Sequence, residues 1–109
     1  MEIDKETQEK IQELQSYEQN FHNLLIQKQA FQMELNETEN AISEISKSKG
    51  EVFKLIGNIM IKSNAESLEK ELKHKKELLS LRIKSIESQE EQLSSQVEEL
   101  REEVMKKIK

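Results

Sequence analysis

Apolar residues recur at helical spacing along the first half of the chain. Two series of positions, each with a period of seven residues, lie between Leu14 and Ile45, and eight of their ten members are apolar or aromatic. Their members are Leu14, Phe21, Lys28, Leu35 and Ile42 in one series, and Tyr17, Leu24, Phe31, Thr38 and Ile45 in the other. This seam predicts an amphipathic helix over about residues 4–48 that packs against a partner helix.

The second half of the chain repeats this pattern. Leu72, Leu79, Ile86, Leu93 and Leu100 form one series, and Lys76, Ile83, Glu90, Val97 and Val104 form the other. The segment Ser63–Glu66 has the pattern of a capping box, so we expect a second helix over about residues 64–108. Each helix would contain about 40–45 residues and extend roughly 60–70 Å.

The most apolar run, "VFKLIGNIMIK", lies between the two predicted helices. Its valine, isoleucine and phenylalanine residues favour strands. A two-residue loop with glycine first, here Gly57-Asn58, favours a type II′ turn. We therefore predict a β-hairpin over about residues 51–62 that pairs Ile56 with Ile59, Leu55 with Met60, Lys54 with Ile61 and Phe53 with Lys62.

The two seams and the turn predict the same fold-back point. When the chain reverses at Gly57, opposed seam residues have numbers that sum to a constant, as for Leu35 with Leu79 and Phe31 with Ile83. The predicted fold is therefore mainly α: a long antiparallel two-helix coiled coil with a central β-hairpin that links the helices. We expect residues 1–109 to form a single domain.

Both faces of the predicted hairpin are apolar, and an isolated two-stranded hairpin is marginally stable in water. Exposed strand edges of this composition promote aggregation unless other strands cover them. We therefore predict that the hairpin mediates subunit assembly, and the alternative is a simple corner between helices that packs on its own helix ends. The assembly residues would be Val52, Phe53, Leu55, Ile56, Gly57, Asn58, Ile59, Met60 and Ile61.

Composition supports elongated helices over a globular core. Hydrophobic residues make up 34% of the chain and charged residues 36%, which is also typical of disordered proteins. The seams are not explained by disorder, and the absence of proline favours long helices.

Charge and residue content exclude several function classes. A net charge of −5 makes nucleic acid an unexpected partner. The chain contains no cysteine and no glycine-rich phosphate loop, and His22 and His74 are too far apart in the predicted register to share a metal. We therefore expect no enzyme, no metal and no cofactor. Without a signal peptide or a membrane-spanning apolar run, we expect a cytoplasmic protein with no membrane partner.

Two charged residues occupy seam positions in adjacent layers. Lys28 would lie opposite Ile86, and Glu90 would lie opposite Leu24. A polar pair in a seam can fix the register at some cost in stability. We predict that the two side chains pair, and the alternative is that each extends to water.

The segment "EVFKLIGNIMIK" resembles the hairpin of beta-class prefoldin subunits, with its valine–aromatic–lysine start, glycine turn and alternating aliphatic residues. The stretches "LNETENAISEI" and "RIKSIESQEEQL" are similar to the flanking helices of that family, although any coiled coil shares their composition. The tetrapeptide "KLIG" favours the eukaryotic subunit 6 type, and an archaeal beta subunit is the alternative.

The resemblance implies a hexamer of two alpha-class and four beta-class subunits whose hairpins form a β-barrel platform. It further implies an ATP-independent chaperone that holds unfolded proteins at the ends of its coils and delivers them to a group II chaperonin. The main alternative is a structural tether or scaffold that oligomerises through its hairpin.

The coil end, defined as the end that carries both termini, is the expected client-binding site. The seam weakens beyond Leu14, where Lys10 would face Val104, so frayed helix ends could present apolar groups to clients. Flexible methionine suits promiscuous contact. Ordinary fraying with scattered surface apolar residues is the alternative. The client-binding residues would be Ile3, Ile11, Leu14, Leu100, Val104, Met105 and Ile108.

Overall fold

Two long helices flank a β-hairpin in the computed structural model, which describes residues 4–48 and 50–108. The elements are α1 (Lys5–Lys47), β1 (Val52–Ile56), β2 (Ile59–Ser63) and α2 (Ala65–Ile108). The helices contain 43 and 44 residues, so the prediction of two nearly equal helices is confirmed. The mainly α fold class is confirmed as well.

Asparagine and aspartate side chains cap the helix starts. The Oδ1 atom of Asp4 accepts a hydrogen bond of 2.7 Å from the backbone N–H of Thr7. At the start of α2, Oδ1 of Asn64 accepts from the backbone N–H groups of Glu66 (2.9 Å) and Ser67 (3.2 Å). The predicted capping box is therefore wrong by one residue, because Ser63 is the last residue of β2 and Asn64 takes the cap position.

The segment Ala30–Ile83 forms one compact unit that contains the hairpin. Leu35, Leu79 and Ile83 are buried together, and Phe31 packs against them. Both predicted pairs, Leu35 with Leu79 and Phe31 with Ile83, fall within this cluster, so the register is confirmed in this unit. The Arg82 guanidinium lies 5.6 Å from the Phe31 ring centroid, which covers the cluster with a cation–π contact.

The second compact unit contains the chain up to Gln29 and the chain from Lys84 onward. Its two helical segments are joined by ion pairs between Arg101 and Glu18 (3.3 Å) and between Lys28 and Glu90 (2.8 Å). The residue further along α1, Lys28, contacts the earlier residue of α2, Glu90, so the two helical segments are antiparallel. Within residues 4–48 and 50–108, no helix is long and apolar enough to span a membrane.

Candidate functional site

The hairpin turn depends on one backbone conformation. Gly57 has φ of +60°, and no other residue of the described chain has a recorded positive φ. A positive φ at only the first loop position is the geometry of a type II′ turn, so the predicted turn type is confirmed. The register is confirmed too: the four predicted pairs form as expected, and Val52 pairs with Ser63 in addition.

Large apolar side chains project from both faces of the hairpin. Leu55 and Met60 are each 67% exposed and share one face with Phe53. Ile56, Ile59 and Ile61 lie on the opposite face, and each is about half exposed or more. Both apolar faces are thus exposed in the described chain and accessible to other molecules.

The strand edges of the hairpin are also free in the part of the chain that the structure describes. The sheet there contains only β1 and β2, so each strand has one side whose backbone groups lack a strand partner. Unpaired N–H and C=O groups in an extended strand provide a template for strand addition. The hairpin can therefore bind other chains through its backbone as well as through its side chains.

The base of the hairpin is fixed to the helices. Lys54 of β1 contacts Glu71 of α2 at 2.6 Å. Val52 and Phe53 line an open groove of about 490 Å³ together with Ile45 of α1 and residues of α2 that include Leu68. Val52, Lys54 and Ser63 are half-buried, whereas every residue from Leu55 to Lys62 is exposed. The exposed surface is thus concentrated toward the turn.

The coil end is packed rather than frayed in the described residues. Leu100 and Val104 are only 8% and 6% exposed, and Thr7 is buried as well. The expected weakening of the seam beyond Leu14 is therefore not found there, because small Thr7 packs in the seam and helices α1 and α2 continue to Lys5 and Ile108.

The predicted client-binding residues differ in exposure. Met105 is 52% exposed. Ile11, Leu14 and Ile108 are half-buried, and Ile3 lies outside the described residues. The accessible apolar surface of the coil end is thus provided by Met105 and by the edges of half-buried side chains, not by Leu100 and Val104.

Charged side chains surround the coil end. Lys10 lies between Glu103 (3.3 Å) and Glu6 (3.6 Å). The hydrogen bond to Glu103 is the main cause of the raised pKa of Lys10, although partial burial opposes it. Hydrogen bonds from Thr7 hold the pKa of Asp4 below its usual value. Both shifts favour the charged forms of Asp4 and Lys10, which are the forms that make these contacts.

The predicted contact between Lys28 and Glu90 is confirmed. Nζ of Lys28 donates to Oε1 of Glu90 at 2.8 Å, and the Glu90 side chain is largely buried. The hydrogen bond to Glu90 is the main cause that raises the pKa of Lys28, with a smaller contribution from Glu87. The pair is a structural contact within the seam.

Titratable groups form no metal site in the described residues. No group of three or more histidine and carboxylate side chains there is arranged to hold a metal ion. His22 and His74 are both exposed single residues.

Exposed apolar residues on the outer helix surfaces were not predicted from the seam. They are Ile26 and Met33 on α1, and Leu78 and Leu81 on α2. A search for apolar residues outside the two heptad series would have found them, because all four lie off the seam positions.

Comparison with known proteins places this architecture in a family. A family model described as "Prefoldin subunit" matches residues 8–109. The chain is 40% identical over 88 residues to the prefoldin subunit beta of Pyrobaculum islandicum, which covers 79% of this chain and 70% of that protein. It is 34% identical over 97 residues to the prefoldin subunit beta of Saccharolobus islandicus, with 87% and 77% covered.

A solved structure shares the whole architecture. The crystal structure of the prefoldin beta subunit from Thermococcus strain KS-1 matches with a TM-score of 0.88 and 31% identity, and the match covers 96% of this chain and 94% of that chain. These three relatives are archaeal, so they do not support the expected preference for the eukaryotic type.

Proposed function

The chain belongs to the prefoldin beta subunit family, and on that premise we propose that it is an ATP-independent holdase subunit of a hetero-hexameric chaperone. It would assemble with alpha-class and other beta-class subunits, bind unfolded proteins at its coil end and deliver them to a group II chaperonin. It would act in the cytoplasm without enzymatic activity, metal or cofactor.

The observation that carries the proposal is the exposed hairpin. Six large apolar side chains are exposed on two faces of one hairpin, beside free strand edges, and clustered exposed apolar residues of this kind mark interaction sites. Strands of neighbouring subunits would cover both, and every chain in the assembly would then present its own coil end. Several weak contacts to one unfolded chain would add up to useful affinity through avidity.

The proposal is tested by the suppression of aggregation. A denatured test protein is diluted into buffer with the chain alone, with an alpha-class prefoldin subunit alone, and with the reconstituted complex. Light scattering should stay low only with the complex, and uninhibited aggregation in its presence would contradict the holdase function and favour the tether alternative.

Truncation of the coil end provides the second arm. Removal of residues 1–11 and 104–109 should weaken the suppression of aggregation and leave assembly intact, because the hairpin unit Ala30–Ile83 is unchanged. Size-exclusion chromatography with light scattering checks the assembly. If the truncated complex suppresses aggregation as well as the full-length one, the coil end is not the client site.

A further inference from the structure

An amide-lined groove lies between α1 and α2 in the unit that contains both chain ends. Its volume is about 440 Å³, and its floor is formed by Leu24 and Leu93. Every other lining residue is an asparagine or a glutamine: Asn20, Asn23, Gln27, Gln89, Gln92 and Gln96. No charged residue lines it, although 36% of the chain is charged. All three glutamines of α2 lie in this one groove.

The spacing of these residues concentrates amides on one flank of the helix pair. Gln89, Gln92 and Gln96 are separated by three and four residues, so they lie on one face of α2. Asn20, Asn23 and Gln27 have the same separations on α1. All six are exposed. Of these six, only Asn23 and Gln89 make a side-chain hydrogen bond within the described chain. Asn23 accepts from Gln19 at 3.4 Å and Gln89 donates to Ser85 at 3.5 Å, so both bonds are long.

Side-chain amides complement the backbone of an extended polypeptide. Each amide offers two N–H donors and a carbonyl acceptor, and each peptide unit of an unfolded chain needs one donor and one acceptor. Amides carry no charge, so they do not select for the charge of the bound side chains. Leu24 and Leu93 add an apolar floor for side chains of the bound segment.

The groove continues toward the coil end. Gln96 also lines a second groove, of about 240 Å³, with Tyr17, Leu100 and the ion-paired Lys10. The distance along α1 from Lys10 to Gln27 corresponds to about 25 Å, the length of about seven or eight extended residues. A segment bound at the coil end could therefore extend along the flank of the helices.

We propose that this amide groove is a second client-binding site, which binds the backbone of an extended, unfolded polypeptide segment irrespective of its sequence. The inference rests on the proposed holdase function and adds to it a site on the shaft of the helix pair, with uncharged hydrogen-bonding groups. The coil end supplies apolar contacts, and the groove supplies hydrogen bonds to the peptide backbone.

The test compares two double variants of the full-length chain in the reconstituted complex. Gln89→Ala with Gln96→Ala removes two groove amides, and alanine preserves the helix because its helix propensity is high. Gln12→Ala with Gln29→Ala removes two exposed amides of α1 that do not line the groove. The probe is a reduced, carboxymethylated and fluorescently labelled polypeptide that remains unfolded, and Kd is measured by anisotropy.

We expect the groove variant to bind the probe about threefold to tenfold more weakly, since two hydrogen bonds are lost. The control variant should stay within about twofold of the unsubstituted chain on the same scale. Equal affinities of the two variants, with unchanged helix melting, would overturn the groove site while leaving the holdase proposal intact. Failure of the unsubstituted complex to bind the probe would overturn both.

Site-specific crosslinking locates the contact independently. The chain has no cysteine, so Gln92→Cys or Gln29→Cys introduces a single attachment site for a photoreactive benzophenone. The label at position 92 should crosslink the probe, and the label at position 29 should not. Equal crosslinking from both positions would contradict a localised site.

Discussion

Gly57 determines the conformation of the hairpin turn at the scale of a single residue. Its φ of +60° is unfavourable for an L-residue with a Cβ atom, whereas a Cβ at this position would meet no atom within 4 Å. Gly57→Ala should therefore act through backbone strain alone, at about 1–3 kcal/mol. Amide hydrogen exchange should show about fivefold or greater loss of protection for the β1–β2 hydrogen bonds.

The matched control for this change is the other glycine. Gly50 lies outside the hairpin and also has open space around it, so Gly50→Ala should leave β1–β2 protection unchanged. Gly57→Asn should lose less protection than Gly57→Ala, because asparagine tolerates positive φ better than alanine does. Equal effects of all three changes would show that the turn does not depend on this conformation.

The contact between Lys28 and Glu90 predicts non-additive mutational effects. Lys28→Met leaves a largely buried carboxylate without its cation, and Glu90→Leu leaves the cation alone, so each single variant should melt at a lower temperature than the parent. The double variant should recover much of the loss, because it buries apolar groups in the seam. Strictly additive shifts in circular dichroism melts would contradict the pairing.

The same pair predicts a pH dependence. The pKa of Lys28 is raised in the folded chain by its hydrogen bond to Glu90. Its stabilising contribution is therefore fully present below the pKa of the unfolded chain and is lost as pH rises through the folded value. The difference in melting temperature between the parent and Lys28→Met should shrink in strongly alkaline buffer. A difference that stays constant across that range would contradict this linkage.

Residue identity was sufficient to predict the hairpin register but not the start of α2. Only glycine readily supplies the positive φ of the turn, so Gly57 fixed the pairing of every residue in both strands. Ser63 and Asn64 can each cap a helix, and sequence alone cannot choose between them. Pairing with Val52 draws Ser63 into β2, which leaves the cap to Asn64.

At the scale of an element, the cap of α2 makes a separate prediction. Oδ1 of Asn64 satisfies two backbone N–H groups of the first helical turn, so Asn64→Ala should destabilise the fold by about 0.5–2 kcal/mol in urea denaturation. Asn40→Ala is the control, because Asn40 is exposed within α1, where alanine has the higher helix propensity. Equal destabilisation by the two changes would contradict the role of the cap.

The helices also show what an apolar periodicity can and cannot predict. Positions Leu35, Leu79 and Ile83 were predicted to pack together because their spacing is regular and their side chains are large. The sequence underestimated the packing of the helices near the coil end. Heptad counting treats Thr7 as a polar interruption of the seam, yet its side chain is small enough to be buried there. The amide groove was missed because it depends on residues that flank the seam on both helices, and heptad counting ignores these positions.

At the scale of the whole molecule, the proposed function divides assembly from client binding. The hairpin combines exposed apolar faces with free strand edges, whereas the coil end combines packed helices with a groove and one exposed methionine. Changes in the hairpin should therefore affect the oligomeric state, and changes at the coil end should affect only the affinity for unfolded chains.

This division predicts the effect of removing apolar groups from the hairpin. Ile56 and Ile59 lie directly opposite each other across β1 and β2, so two aspartates there would repel and unfold the hairpin itself. Ile56→Lys with Ile59→Glu places opposite charges across the strands and keeps the pairing. This variant should remain unassembled in size-exclusion chromatography with light scattering, both alone and with an alpha-class subunit.

The matched control makes the same two substitutions on an exposed apolar pair of α2. Leu78→Lys with Leu81→Glu removes as many apolar side chains, and the introduced charges are three residues apart on the helix surface. The control should assemble like the parent, since apolar surface promotes assembly specifically where it accompanies free strand edges. Assembly of the hairpin variant, or equal loss of assembly in both variants, would show that general hydrophobicity and not the hairpin joins the subunits.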